Sequence, residues 1–207
     1  MPPFKVFLAP MVDVEAQALS DAASLLKSYY DRIIRATSLQ TFSTTVVKVS
    51  PHANEVGERD LLAYITIESL ILLYYDRIYE PDVKHSLPGT PGGGTKLLPN
   101  GEVLSEVFWT GGFQSLPAAK RGTALANLIF HEFGHNKLQG DPVAAAQGSP
   151  DIFLHTSCGQ GPFMDRMTIG LASNLTITPG NIKSMARVLN AANKQARFGL
   201  YSDELGF

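Results

Sequence analysis

Apolar residues recur at helical spacing in three stretches of this chain. The first runs from Val14 to Thr37, with charged residues between its apolar positions. The second runs from about Ala118 to Gln139, and Gly140 is placed to end it as a left-handed C-terminal residue. The third begins near Pro179 and has its apolar positions at Ile182, Met185, Val188, Leu189 and Ala192. The pattern predicts three helices, and residues 141–177 between the last two lack any long periodic segment.

Strand-like segments lie between the first two predicted helices. Thr41 to Ser50 is rich in β-branched residues, and Glu102 to Trp109 has strand character that Gly111 and Gly112 interrupt. Leu61 to Tyr79 begins like a buried strand at 62–67, whereas its second part fits a strand or a helix. The segment from Leu87 to Gly101 is rich in proline and glycine, which predicts a loop. Within it, the glycines at 92–94 fit a flap beside a cleft or an ordinary surface loop.

The second predicted helix carries the most informative chemistry of the chain, the run His131-Glu132-Phe133-Gly134-His135. Residues four apart on a helix lie almost above one another, so both imidazoles project from one face and can chelate one zinc ion. Glu132 is turned from His131 by about 100°, so it lies beside the ion without ligating it. From there it can accept a proton from a water that the zinc activates. The alternative is a pair of hydrogen-bonded histidines on a half-buried helix.

This motif and this order of elements resemble the zincin metallopeptidases and, within them, the metzincins. The resemblance implies an α+β fold with one metallopeptidase domain over residues 1–207. In such a fold a mixed, twisted sheet and the motif helix form an upper lobe, here about residues 1–140. A smaller, irregular lower lobe ending in a helix would comprise about residues 141–207, and the zinc would lie in the cleft between the lobes.

A catalytic zinc site usually has three protein ligands, so the two histidines require a third. Gluzincins use a later glutamate, yet after Glu132 the only glutamate is Glu204, close to the C-terminus. Asp141 fits the metzincin spacing HExxHxxxxxD of the snapalysin-like branch in both position and ligand type. The family's glycine would fall at Leu138, whereas here the glycine is Gly140. The turn after the helix is therefore expected to differ from the family's.

His155 remains a rival third ligand, since it could enter the site from the segment after the helix. The resemblance also implies a methionine turn beneath the metal. Met164, in Gly161-Pro162-Phe163-Met164-Asp165, is the candidate, although a methionine there can equally be core packing. Lys137 stands where zincin helices usually carry an apolar residue. Cys158, the single cysteine, is expected to be a small buried hydrophobe.

Composition narrows the class of protein without changing this interpretation. The 207 residues include 44% hydrophobic and 17% charged residues, which is typical of a folded domain. The net charge of −2 gives no support for nucleic-acid or anionic-membrane binding, and one cysteine excludes an internal disulfide framework. No apolar run has the length of a secretory signal or a membrane span. A soluble protein is expected, either cytoplasmic or exported by a non-classical route.

The predicted function is hydrolysis of peptide bonds in a protein or peptide substrate, with zinc as the cofactor and Glu132 as general base and acid. In zincins the substrate lies along the edge strand of the sheet, and the resemblance assigns that role to Val103–Trp109. Trp109 and Phe113 would then line a side-chain pocket, or else belong to the core. Two other functions remain open: a metal-stabilised binding domain without turnover, and a delivered effector or toxin that uses the same site. The sequence does not decide the oligomeric state.

Overall fold

The computed structural model describes residues 4–37, 43–48, 56–71, 92–139, 182, 185–186 and 188–197. Within them the chain forms an α+β fold, in which one helix follows the first strand and two helices separate the fifth strand from the sixth. The strands are β1 (Phe4–Pro10), β2 (Thr44–Lys48), β3 (Leu61–Thr66), β4 (Gly93–Leu97), β5 (Glu102–Phe108) and β6 (Lys194–Gln195). The helices with both ends described are α1 (Ala16–Arg35), α2 (Gly111–Gln114) and α3 (Ala118–Gln139).

The strands form one mixed sheet in the order β2-β1-β3-β5-β4. Every pairing along this order is parallel except that of β4, which runs antiparallel to β5. The short β6 pairs in parallel with the first residues of β5, Glu102 and Val103. Because β4 pairs along one side of β5, β6 pairs along the other side, which β3 occupies from Ser105 onward. This pairing places the C-terminal segment 188–197 next to β5.

Helices α1 and α3 pack together on one face of the sheet and enclose the larger of two hydrophobic cores. The apolar face that the sequence predicts for α1 is buried there, at Ala18, Leu19, Ala22, Leu26, Tyr29, Tyr30, Ile33 and Ile34. The ring of Phe130 on α3 lies 5.1 Å from that of Tyr29 and 5.3 Å from that of Tyr30. The Tyr29 hydroxyl donates a hydrogen bond to Asn127 Oδ1 on α3 at 2.7 Å. These contacts fix α3 against α1.

The opposite face of the sheet carries a smaller apolar cluster. Its members come mainly from β1, β3, β5 and the segments after β3 and β4: Phe7, Ala9, Val56, Leu62, Tyr64, Leu70, Leu98, Leu104 and Ala196. The sheet therefore has apolar contacts on both faces, which explains why all residues of β3 and of β5 are buried.

The prediction of α3 is confirmed from Ala118 to Gln139, and α1, β2, β3 and β5 each lie inside the segments predicted for them. Residues 182, 185–186 and 188 of the last predicted helix are helical, and Met185, Val188 and Leu189 are buried as predicted. Ala192 is exposed and lies after the helical residues, so its inclusion on that face is wrong. None of the helices that the structure describes is both long and apolar enough to span a membrane.

Two predictions about strands and loops are wrong. The N-terminal segment, for which no strand was expected, forms β1, which pairs on both sides with β2 and β3. The predicted loop at 87–101 contains β4, and β4 rather than Val103–Trp109 lies at the edge of the sheet. In both cases the cause is tertiary: pairing partners and packing determine these elements more than the local composition does. Gly111 and Gly112 begin the short helix α2, and β5 ends before them, as the sequence predicts.

Candidate active site on the motif helix

The sequence of α3 explains why the two histidines are held on one side of the sheet. Its residues from Ala124 to Phe130 and Phe133 are almost all buried, which holds the last turns of the helix against the sheet. His131 is 2% exposed, whereas His135, one turn later, is half-buried. The site therefore has one enclosed imidazole and one that reaches towards solvent.

The imidazoles of His131 and His135 converge on each other. Their Nε2 atoms lie 3.0 Å apart, and the ring planes are inclined by 75°. Zinc binds imidazole nitrogen at about 2.0–2.1 Å, so two such ligands in a tetrahedral shell are separated by about 3.3 Å. The observed separation is close to that value, and it is also the distance of a direct hydrogen bond between the two rings. The donor chemistry and the spacing of this pair thus fit a zinc ion, with the remaining ligands to come from elsewhere.

Glu132 lies under the edge strand rather than on the solvent side of the helix. Its side chain is 3% exposed, and Oε2 accepts a hydrogen bond from Thr95 Oγ1 on β4 at 2.8 Å. Burial raises the pKa of this carboxyl from 4.5 to about 8, the Thr95 hydrogen bond opposes the rise, and the nearby Glu106 carboxylate adds to it. A carboxyl with such a pKa can exchange a proton near neutral pH.

The absence of a side chain at Gly93 is what allows β4 to lie so close to α3. A Cβ at Gly93 would be 2.6 Å from the backbone oxygen of Glu106 and 3.2 Å from Glu132 Cγ. A Cβ at Gly94 would point to the other face of the strand and meet only Ile71 Cδ1, at 3.3 Å, and Glu106 Oε1, at 4.0 Å. Gly93 therefore lets the Glu132 side chain fit between helix and strand.

The last described turns of α3 are anchored by polar contacts to the C-terminal segment. Asn136 and Gln195 exchange two hydrogen bonds: Asn136 Nδ2 donates to Gln195 Oε1 at 2.8 Å, and Gln195 Nε2 donates to Asn136 Oδ1 at 3.0 Å. Asn193 Nδ2 donates to the Asn136 backbone oxygen. These bonds hold the helix end from which the predicted third-ligand segment departs.

Lys137 contributes a second anchor at the same helix end. It is fully buried, and its Nζ donates hydrogen bonds to the backbone oxygens of Arg59 at 2.7 Å and Ala191 at 2.9 Å. Burial lowers the pKa of this ammonium group from 10.5 to about 7; Asp60 opposes the shift and Arg59 adds to it. Lys137 is thus accommodated at a buried position of α3 because two backbone carbonyls accept its hydrogen bonds.

Glu106 is a second buried carboxyl close to the site, on the other face of β5. It accepts hydrogen bonds from Ser69 Oγ at 2.6 Å and from the backbone nitrogens of Leu70 and Ile71 at 2.6 and 3.3 Å. Burial raises its pKa from 4.5 to about 7 against the effect of these bonds. Its bonds to Leu70 and Ile71, the first helical residues after β3, show a structural role.

The structure brings the imidazoles of His131 and His135 together as predicted and places the Glu132 carboxyl against Thr95 of β4, while the other predicted site residues lie outside the described part of the chain. These are Asp141, His155, Met164 and Cys158, so the choice of third ligand and the methionine turn stay predictions. Among the described residues no group of three His, Cys, Asp or Glu side chains is placed to hold a metal ion. Trp109 and Phe113 stack with ring centroids 4.6 Å apart inside the main core, which confirms core packing over a substrate pocket.

Thr95, Gly93 and the Asn136 contacts were not predicted from the sequence. For the first two, Asn100-Gly101 is a turn signal between Leu97-Leu98 and the strand-like segment that begins at Glu102, and it favours a hairpin there. No comparable signal exists for Asn136, because its partners at 105 and 195 are remote in sequence.

Comparison with known proteins does not assign the chain to a family. No protein-family model matches it. No curated protein and no solved structure matches it either. The inference of function therefore depends on the residues and their geometry.

Proposed function

We propose that this chain is a zinc-dependent peptidase with a metzincin-like fold, in which His131 and His135 hold the metal and Glu132 is the general base and acid. The observation that carries the proposal is the convergence of the two Nε2 atoms at 3.0 Å, with the buried carboxyl of Glu132 on the same helix. A pair of core histidines would not require an adjacent carboxyl kept in a dry environment. A site that activates a metal-bound water requires both the histidine pair and a neighbouring carboxyl group.

The fold supports the proposal at the level of its layout. The motif helix packs on one face of a mixed sheet whose edge strand, β4, is antiparallel to the rest. Glu132 lies between that helix and that strand, so the general base is close to the strand that a zincin uses for its substrate. The lobe division at about residue 140 and the closing ligand, Asp141 or His155, belong to the proposal as the sequence predicts them.

Zinc, when bound, would lower the pKa of a coordinated water and polarise the carbonyl of the scissile bond. Glu132 would accept a proton at its carboxylate and later return it to the leaving amine. With a pKa of about 8, the carboxyl is mostly protonated at neutral pH in the metal-free site, and the positive charge of a bound zinc ion would favour the carboxylate that the base requires. The backbone of α3, anchored through Asn136 and Lys137, holds Glu132 and both imidazoles in a fixed relation.

The substrate is proposed to be an extended segment of a protein or peptide that adds to β4. Among the described strands, β4 pairs only with β5, so its outer side can offer backbone groups for β-augmentation. Positions 93 and 95 of this strand face α3, which brings the strand next to Glu132. Val103–Trp109, the segment that the sequence had suggested, is paired on both sides and cannot take this role.

The test of this function is peptide cleavage by the wild-type chain with and without zinc. We expect the zinc-loaded protein to cleave casein or members of a peptide library, a chelator to abolish the cleavage, and added zinc to restore it. Binding of zinc without any cleavage would instead favour the metal-stabilised binding domain. Cleavage that is unaffected by removal of the metal would contradict the proposal.

A further inference from the structure

A buried series of polar side chains leads from the C-terminal segment to Glu132. It passes through Gln195, Asn136, Ser105 and Thr95. Asn136 Nδ2 lies 2.9 Å from Ser105 Oγ, which lies 3.1 Å from Thr95 Oγ1, which lies 2.8 Å from Glu132 Oε2. Ser105 and Asn136 are fully buried, and Gln195 is 2% exposed. The series joins β6, α3, β5 and β4 in one network.

The amide orientations of this network are consistent with one another. Gln195 Nε2 and Asn193 Nδ2 both face Asn136 Oδ1, so the amide nitrogen of Asn136 faces Ser105 and donates to it. Thr95 Oγ1 has one proton for three acceptors: Ser105 Oγ at 3.1 Å, the backbone oxygen of Glu132 at 3.0 Å and Glu132 Oε2 at 2.8 Å. The contact to Glu132 Oε2 is the shortest of the three, so we assign the proton to it, and Ser105 can then donate its own proton to Thr95.

Thr95 also lies 3.0 Å from the backbone oxygen of Glu132, so the hydroxyl touches both ends of this residue. A β-branched side chain on a paired strand has little rotamer freedom, and Ser105 opposite it on β5 restricts it further. The strand and Ser105 therefore hold the Thr95 hydroxyl in place independently of the Glu132 side chain. Without this donor, the buried carboxyl group of Glu132 would lose the hydrogen bond that holds it against β4.

We propose that Thr95 is a positioning residue for Glu132, and that Ser105 and Asn136 hold Thr95 in place. Its hydroxyl fixes the orientation of the carboxylate by donating to Oε2. The positioning stands on the hydrogen-bond network alone, whereas its consequence for catalysis rests on the proposed peptidase function. The network also explains why the edge strand of the sheet has a threonine between a glycine and a lysine, with its side chain towards the helix.

The first part of the test needs no activity. The free energy of unfolding of the metal-free chain is measured for wild type, Thr95→Val, Glu132→Ala and the double variant. One net hydrogen bond corresponds to about a fivefold change in the unfolding equilibrium constant. We expect Thr95→Val to cost about fivefold more with Glu132 present than with alanine there. Because the backbone oxygen of residue 132 remains in every variant, this difference isolates the carboxylate.

Thr44→Val is the matched control for this cycle. Thr44 is a buried threonine on β2, at the other edge of the sheet, and its hydroxyl has no hydrogen-bond partner within the described part of the chain. Its effect should be the same in the wild-type and Glu132→Ala backgrounds because distant sites act additively. Equal costs of Thr95→Val in the two backgrounds would overturn the positioning role.

The second part uses the zinc-loaded chain and peptide cleavage. Thr95→Val should lower kcat by about tenfold or more with KM nearly unchanged, because a misplaced catalytic group slows the reaction without weakening substrate binding. Thr95→Ser, which keeps the hydroxyl, should recover most of the loss. An unchanged kcat in Thr95→Val would overturn the role in catalysis. If wild type itself cleaves nothing, the proposed function fails, and the unfolding cycle still decides the positioning.

Discussion

Replacing Glu132 by glutamine is expected to lower the rate of peptide cleavage by about 10²–10⁴-fold, the contribution of a positioned general base. Glutamine has nearly the same shape and keeps an oxygen that can accept the Thr95 hydrogen bond, so the buried space between α3 and β4 stays filled. It cannot take a proton. Zinc binding through His131 and His135 should therefore remain while turnover is lost, which kinetic assays and metal analysis of the same sample would show.

Glu106→Gln is the control for this experiment. Glu106 is also a buried carboxyl close to β4, but its hydrogen bonds go to Ser69 and to the backbone at 70 and 71. Glu106→Gln should therefore keep the rate of cleavage within a few-fold of wild type, because it changes the electrostatic environment of Glu132 but does not remove the general base. Unimpaired cleavage by Glu132→Gln would exclude the proposed role of Glu132.

Without metal, the chain is expected to become less stable as pH rises from about 5 to about 8. The folded-state pKa values of Glu106 and Glu132 are raised to about 7 and about 8, so between 4.5 and these values the folded state binds more protons than the unfolded state. Stability from these two groups is fully present below the unfolded pKa and is lost as pH passes through the folded pKa. For Glu106 alone the loss corresponds to about 3 kcal/mol, at 1.36 kcal/mol per pKa unit.

Lys137 acts in the opposite sense at higher pH. Its folded-state pKa is lowered to about 7, so between that value and 10.5 the unfolded state binds more protons and stability rises with pH.

The measurement that tests the raised pKa of Glu106 is urea unfolding in the presence of a chelator, at several pH values, for wild type and Glu106→Gln. The variant should match wild type near pH 5 and exceed it near pH 8 by up to about 3 kcal/mol. Parallel curves for the two proteins would contradict a raised pKa at Glu106.

The parts of the fold that follow from local pattern could be predicted from the sequence. Helix α3 was predicted from Ala118 to Gln139 because its apolar periodicity is uninterrupted and Pro117 precedes it. The placement of His131 and His135 on one face followed from the same helix geometry. β1 was missed because Val6, Phe7 and Leu8 form a short apolar run whose burial on both faces depends on the two strands that pair with it.

The edge of the sheet could not be predicted from composition alone. Gly93 and Gly94 have low strand propensity, and β4 exists because β5 supplies its hydrogen bonds and α3 leaves room at Gly93. The turn that reverses the chain contains Gly101, whose φ of +81° favours glycine. The contact between Thr95 and Glu132 depends on how β4 pairs with β5, so it could not be predicted before that pairing was known.

Zinc titration of purified chains decides whether His131 and His135 hold a zinc ion. The matched set is wild type, His131→Ala, His135→Ala and, as a control at a histidine far from the motif in sequence, His85→Ala, with Asp141→Ala and His155→Ala added to identify the third ligand. We expect one zinc per wild-type chain, an unchanged affinity in His85→Ala, and a loss of affinity of more than about 100-fold in each motif variant. Wild type that binds no zinc, or motif variants that bind it as tightly as wild type, would exclude the proposed metal site.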